Sequence, residues 1–109
     1  MYVINIAKDF SDSLGARYYE DGEFSGQAFR EEKLEPIFNE YDKIKIILDG
    51  TEGYATSFLE ESFGGLVRKF PDADVLSKLE FVSEEDDSLI DEIEEYIRDA
   101  KSQLEGDSQ

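Results

Sequence analysis

The sequence predicts an α/β fold in which a small, mostly parallel or mixed β-sheet packs with about three helices. Short apolar runs rich in β-branched residues alternate along the chain with longer segments whose apolar residues recur at helical spacing. Strands that alternate with helices need crossover connections, which produce parallel strand pairs. A length of 109 residues suits one domain. We expect that domain to cover residues 1–102, followed by a frayed acidic tail at residues 103–109.

Four short segments are expected to be strands. The first is residues 2–7, the second is the short run at residues 17–19, and the last is residues 79–83. The remaining one, residues 43–49, is almost wholly apolar in its second half, which is typical of a central strand covered on both faces. The loop at residues 50–55 follows its carboxyl end, where parallel sheets carry ligand and partner sites.

Three segments are predicted to be helical. The first begins at Ser25 and must be kinked or split at Pro36. The second follows the loop after the central strand, and the third begins at Ser88. Within the second helix, Gly64 and Gly65 each cost about 1 kcal/mol relative to alanine. We therefore expect another backbone to approach closely at these two glycines.

The chain contains neither cysteine nor histidine. This composition removes thiolate metal sites, cysteine nucleophiles, the commonest metal ligand and the usual general base at neutral pH. We therefore expect no catalytic residue, no metal site, no cofactor and no enzymatic activity. There is no apolar run near the roughly 18 residues that a membrane span needs, and no signal sequence at the start. The expected location is the cytoplasm.

Acidic residues dominate the charge balance. The chain has 28 acidic and 11 basic residues, a net charge of −17, and residues 80–109 alone carry a net charge of −10. Phosphates would be repelled, so direct binding to nucleic acid or to an anionic membrane is not expected. These carboxylates either form a solvated surface that keeps a small protein soluble or imitate a polyanion. The candidate acidic surface consists of Glu84, Glu85, Asp86, Asp87, Asp91 and Glu95.

Three stretches carry a resemblance to a known family: "DGEFSGQAFR" (21–30), "IKIILDG" (44–50) and "TSFLEESFGGL" (56–66). They resemble STAS-like domains, which are related to the bacterial anti-sigma-factor antagonists, and they are most similar to small STAS-like proteins of unassigned function. The similarity extends from Tyr2 to about Ala100. It implies a STAS-like fold and a bacterial or phage protein that regulates a partner.

The motifs of the antagonists themselves are kept only in part. Their Gly-Glu-Leu-Asp hairpin is matched at residues 22–25 with two substitutions, and their strand-end aspartate is matched by Asp49. Their helix opens with Asp-Ser-Ser-Gly, which is replaced here by residues 55–58. Only the second serine is retained, at Ser57, and the resemblance implies that this is the phosphorylated position.

The residues themselves give Ser57 two possible roles. Ser57 and Glu60 have the spacing of a capping box, so Ser57 is expected to cap the helix. A helix start also receives phosphate well, which makes Ser57, and secondly Thr56, a candidate phospho-acceptor. Phe58 is expected to be either a binding anchor or part of the core.

The loop before this helix supplies the other candidates. Tyr54 is the candidate interface residue. Asp49 and Glu52, considered with Asp9, suggest a metal site, a phospho-accepting aspartate at a strand end or, more simply, solvated loop carboxylates.

Two functions remain open. The first is a regulatory protein-binding module that docks on a partner through residues 49–66, and the resemblance implies that this partner is a kinase-like ATP-binding regulator. The second is an acidic mimic of nucleic acid that blocks a basic nucleic-acid-binding protein, as an anti-defence protein would. Binding by the mimic should weaken steeply with salt, whereas apolar docking should weaken little.

Overall fold

A computed structural model describes residues 1–107 of the chain and contains a three-stranded, wholly parallel sheet. Strand order follows the sequence, with β1 pairing to β2 and β2 to β3. Ile4, Ile46 and Phe81 lie side by side across the three strands. The predicted α/β class is therefore confirmed. The strands are β1 (Tyr2–Asn5), β2 (Ile44–Ile47) and β3 (Leu79–Val82).

Three long helical segments occur where the sequence predicts them, and two helices of a single turn accompany them. The long helices α2 and α3 are irregular, because each contains one π-helical turn of five residues. Pro36 lies at the start of the 3₁₀ turn that ends α2, a position where a missing backbone N–H is tolerated. The helices are α1 (Ile6–Asp9), α2 (Gly26–Phe29, Arg30–Leu34 and Glu35–Ile37), α3 (Thr56–Leu59, Glu60–Gly64 and Gly65–Lys69), α4 (Val75–Lys78) and α5 (Ser88–Asp107).

One face of the sheet forms the core together with the helices. Side chains alternate between the two faces of a strand, so Ile4, Ile44 and Ile46 share one face. All three are buried, in the same hydrophobic cluster as Phe29 of α2 and Phe63 of α3. The cluster also includes Ile93 and Ile97 of α5. All the long helices therefore lie on this side of the sheet.

The opposite face of the sheet is not covered, and the expectation that β2 is buried on both faces is wrong. Val3 of β1 is 49% exposed, and none of the residues on this face is fully buried. Both crossovers run in the same direction across the sheet, and right-handed crossovers that advance in one direction place their helices on the same side. We call this surface the bare face. It consists of Val3, Asn5, Lys45, Ile47, Glu80 and Val82.

The predicted strand at residues 17–19 is wrong. Arg17 and Ala16 accept hydrogen bonds from the backbone at Gln27 and Gly26, both at 2.9 Å, but the segment does not join the sheet. The chain turns immediately afterwards in a 3₁₀ turn, Tyr19–Asp21. The local β propensity of the tyrosines is thus satisfied by a loop that folds back on the start of α2.

The paired glycines of α3 make room for side chains, not for a backbone. A Cβ at Gly65 would lie 2.6 Å from Nε of Arg30, and a Cβ at Gly64 would meet Oε2 of Glu60. Close backbone approach occurs instead at Gly26 of α2, where a Cβ would lie 2.6 Å from the carbonyl oxygen of Phe58. The two helices therefore cross at Gly26.

The last helix is longer than expected. α5 continues to Asp107, so the segment predicted as a frayed tail is helical as far as that residue, and residues 108 and 109 lie outside the described part of the chain. Within the described residues, no helix combines the length and the apolar character that crossing a membrane requires.

Candidate functional site

The loops that follow the three strands are joined at one end of the sheet. Asp49, directly after β2, accepts backbone hydrogen bonds from Glu84 at 2.9 and 3.0 Å and from Glu85 at 2.8 Å. Glu85 in turn accepts the backbone N–H of Gly50 at 3.0 Å. This reciprocal pairing fixes the loop after β2 against the loop after β3. We call the surface formed by residues 10–14, 48–57 and 83–87 the carboxyl edge.

The loop after β1 is attached to the same edge. The backbone N–H of Glu52 donates to the carbonyl oxygen of Asp12 at 2.8 Å, and the hydroxyl of Ser13 donates to Oε2 of Glu52. Asp9 lies apart from these contacts and accepts the backbone N–H of Asn5 at 2.8 Å. Asp49, Glu52 and Asp9 thus each bind backbone or hydroxyl donors and do not converge. Within residues 1–107, no group of three or more carboxylates is arranged to hold a metal ion.

Tyr54 closes the loop between β2 and α3. Its hydroxyl donates to the carbonyl oxygen of Leu48 at 2.7 Å, and its ring centroid lies 6.0 Å from that of Phe58. Burial raises the pKa of Tyr54 to about 12. Phe58 is 0% exposed and contacts Phe29 in the core, so of its two predicted roles the structure supports the core role. Tyr54 is only partly exposed, and its polar end is directed into the protein.

The hydroxyl pair begins α3, but Ser57 does not cap it. The cap position is Ala55, which has an extended backbone and makes no side-chain cap hydrogen bond, so the predicted capping box is wrong. Helical residues start at Thr56, which makes Ser57 the second residue of the helix. Glu60, the other half of the predicted box, is held by arginines instead. Thr56 is exposed and Ser57 is partly exposed.

The acidic surface adjoins the carboxyl edge. Glu84, Glu85, Asp86 and Asp87 are exposed in the loop after β3, and Asp91 and Glu95 are exposed on α5. Among the described residues, none of these six forms an ion pair. The hydroxyl of Tyr96 on α5 lies beside Thr56 and donates to Glu92 at 3.1 Å. The two candidate surfaces that the sequence suggests are therefore contiguous.

Sequence reasoning missed a cluster of arginines and glutamates between α2 and α3. Arg30 is 12% exposed at its side chain and bonds to Glu61, which is 10% exposed, through Oε2 at 2.8 Å and through the backbone oxygen at 3.2 Å. Arg30 also pairs with Glu35. We call this group the ion cluster. Its members are Arg17, Arg30, Glu35, Glu60, Glu61 and Arg68.

The outer part of the ion cluster is centred on Glu60. It accepts hydrogen bonds from Arg17 at 2.6 Å and from Arg68 at 2.8 and 3.1 Å. The hydrogen bonds from Arg68, followed by those from Arg17, lower the pKa of Glu60 even though its partial burial acts in the other direction. One signal could have revealed the cluster. Arg30 lies four residues before Leu34, so the helical face that buries Leu34 also buries Arg30.

Comparison with known families identifies the fold. A family model described as a STAS-like domain of unknown function (DUF4325) matches residues 25–89, more than half of the chain. The chain belongs to this family. Neither the curated proteins nor the solved structures contain a match to it. The predicted resemblance to STAS-like domains is thus confirmed. The matched span contains most of the ion cluster and the loops after β2 and β3, whereas Arg17 and most of α5 lie outside it.

Proposed function

We propose that this STAS-like domain is a regulatory, non-enzymatic module that docks on a protein partner through its carboxyl edge. The observation that carries the proposal is the fixed geometry of that edge, where Asp49 and Glu52 bind the neighbouring loops and the exposed Thr56 lies beside the partly exposed Ser57. A surface whose loops are already fixed loses little conformational freedom on binding. The proposed partner is a kinase-like ATP-binding regulator, as the resemblance to the antagonists implies.

The position of Ser57 is compatible with control by phosphorylation. Ser57 is in the first turn of α3, where backbone N–H groups have no partner within the helix and no side chain caps them. Phosphate is well received there, and it would add about −1.5 to −2 charges. Because Ser57 makes no cap hydrogen bond, the added charge would alter the docking surface more than the stability of the fold.

Substitutions at the hydroxyl pair test this proposal. The domain is used as bait, the partner is identified by mass spectrometry, and its affinity is then measured by calorimetry. Ser57→Asp should bind roughly tenfold more weakly than the parent, equivalent to about 1.4 kcal/mol. Ser57→Ala should bind like the parent and should unfold at the same urea concentration, since no cap is lost. Thr56→Asp is the matched control for a charge one residue away.

The same experiment can contradict the proposal. If Ser57→Asp and Thr56→Asp both bind the recovered partner as tightly as the parent does, docking does not use the carboxyl edge. A partner that still binds Glu52→Ala and Tyr54→Ala with unchanged affinity would lead to the same conclusion.

A second function is favoured by one specific observation, the set of exposed carboxylates from Glu84 to Glu95 that have no ion-pair partner among the described residues. Under this alternative, the acidic surface occupies the binding site of a basic nucleic-acid-binding protein. Binding should then fall by a large factor when salt rises from about 50 to 200 mM, as protein–DNA binding does. Direct binding to DNA or to anionic lipid is not expected in either case.

A further inference from the structure

We infer that the bare face of the sheet is a docking site for an amphipathic α-helix of a partner protein, with an apolar stripe flanked by lysine or arginine. The inference begins from an unusual feature of the sheet. All three strands are parallel, yet helices cover only one side. Parallel sheets are normally covered on both faces, and helices are their usual cover.

The chain cannot cover this face with its own described helices. The helical connections from β1 to β2 and from β2 to β3 pack on the same side, and α5 contributes Ile93 and Ile97 to that same core. Each helix therefore already buries its apolar stripe on the covered side. No helix within residues 1–107 is therefore left to cover the bare face.

The bare face is apolar at three of its six positions. Val3 is 49% exposed, and Ile47 and Val82 are partly exposed. None of the three belongs to the hydrophobic cluster or packs against it. Lys45 and Glu80 lie in the same row as Val3, and Asn5 lies in the same row as Ile47 and Val82. Apolar side chains surrounded by polar ones are typical of an interaction surface, and here they contribute nothing to the described core.

The size of the bare face favours a helix over a second copy of the chain. Three strands about 4.8 Å apart, each with four residues of about 3.3 Å, give roughly 14 by 13 Å. That is about 200 Å², far below the roughly 800 Å² that each partner buries in a stable interface. Two chains of net charge −17 would also repel each other. A helix covers about 14 Å with roughly nine residues, or two to three turns.

The surrounding charges indicate the flanks of that helix. Glu80 lies on the face itself, and the exposed Glu84 and Glu85 follow at the end of β3. Lysine or arginine beside the apolar stripe would be attracted to these carboxylates, while Lys45 would favour one acidic residue. The site is separate from Thr56 and Ser57, so it can be tested without the proposed function.

The test uses two synthetic peptides of identical leucine and lysine composition. One has its leucines on one helical face, and the other has a scrambled order without an apolar stripe. Binding to the ¹⁵N-labelled full chain is followed by NMR. The amphipathic peptide should shift the amides of β1, β2 and β3 around Val3, Ile47 and Val82. The scrambled peptide should bind at least tenfold more weakly at these residues.

Near-isosteric variants connect the shifts to the bare face. The double variant Val3→Thr/Val82→Thr should keep the urea midpoint of the parent and bind the amphipathic peptide about tenfold more weakly. Val75→Thr, the same change at a buried core position, should lower the urea midpoint, which establishes that the method detects a lost core contact. Ser57→Asp should leave peptide binding unchanged.

Three results would overturn the inference. Shifts confined to Glu84–Glu95, or equal shifts with both peptides, would mean that binding is purely electrostatic. A lower urea midpoint for the double variant, comparable to that of Val75→Thr, would mean that the face serves the fold. A dimer that forms with rising concentration and is abolished by the double variant would replace the partner helix with a second copy of the chain.

Discussion

Gly65 provides a sharp test of the ion cluster, because the effect of adding one methyl group there should change sign with the residue at position 30. Gly65 is helical, with φ −60° and ψ −34°, so alanine fits its backbone. The obstacle is Arg30. A Cβ at Gly65 would lie 2.6 Å from Nε and 3.0 Å from Cδ of that side chain. These atoms lie in the middle of the side chain, whose end is held by Glu61 and Glu35.

The expected change in the free energy of unfolding follows from two opposing effects. Replacing glycine with alanine inside a helix gains about 1 kcal/mol. Moving Arg30 aside breaks one or two hydrogen bonds to charged groups, worth about 1.5–3 kcal/mol each. Gly65→Ala should therefore destabilise the parent by about 2 kcal/mol. In an Arg30→Ala background the obstacle is absent, and the same change should stabilise the protein by about 1 kcal/mol.

The assay is a double-mutant cycle of urea unfolding followed by circular dichroism. The coupling between the two positions should be about 3 kcal/mol. Gly106→Ala is the control, because nothing lies within 4 Å of a Cβ at that helical glycine. It should have the same small effect in both backgrounds. Gly65→Ala effects of equal sign in the parent and in Arg30→Ala would refute the assignment of Gly65 to the ion cluster.

Three further predictions concern single side chains. Asp49→Ala should lower the free energy of unfolding by about 2 kcal/mol and accelerate hydrogen exchange at the amides of Glu84 and Glu85, because these amides lose their acceptor. Unchanged exchange of the two amides, followed by NMR, would show that Asp49 does not hold the loop after β3. Because the pKa of Glu60 is lowered in the folded state, the stability difference between parent and Glu60→Gln should be full above about pH 4.5 and vanish as pH falls through the folded pKa. A stability difference in urea unfolding that does not change at all as the pH falls from neutral into the acid range would count against the arginine contacts. Tyr54 should ionise only near pH 12 in absorbance titrations because it is buried, and a phenol that ionises near pH 10 would show that it is not. Tyr54→Phe should cost about 1 kcal/mol through the lost hydrogen bond to Leu48, and an unchanged urea midpoint would contradict that contact.

The local sequence pattern was sufficient to predict the order of the three strands and the long helices. The apolar runs at the three strands and the helical spacing between them depend on neighbours in sequence, so the parallel α/β class could be predicted. The strand predicted at residues 17–19 failed because tyrosine-rich runs also suit loops that fold against a helix. To predict which face of the sheet is covered, one must know the direction of both crossovers. A clue was present, since Lys45 and Glu80 occupy positions that a strand buried on both faces would fill with apolar residues.

The sequence predicted where in the fold the candidate site residues lie but not which contacts they make. The carboxyl edge lies where parallel sheets predict it, and Asp49, Glu52, Thr56 and Ser57 all belong to it. The roles of these residues depend on partners distant in sequence. Asp49 binds backbone donors 35 and 36 residues later. The capping box failed because the helix begins two residues earlier than expected, with its cap at Ala55 instead of Ser57, and because Arg17 and Arg68 bind Glu60.

The contacts between the family motifs limit what those motifs can say about function. The stretch 21–30 and the stretch 56–66 pack against each other, since Gly26 contacts the backbone of Phe58 and Arg30 binds Glu61. Ser62 adds a hydrogen bond to the carbonyl oxygen of Gly26 at 3.3 Å. Much of what makes these stretches recognisable therefore builds the crossing of α2 and α3.

A surface available to a partner must then be sought among residues that this crossing leaves free. Thr56 and Ser57 meet that condition at the carboxyl edge, and Val3, Ile47 and Val82 meet it on the bare face. Substitutions that add a charge at Thr56 or Ser57, or a polar group at Val3, Ile47 or Val82, should change binding while leaving unfolding nearly unaltered. Substitutions at Arg30 or Glu61 should change unfolding first. A variant set built on this division separates a docking defect from a folding defect, whichever partner the domain binds.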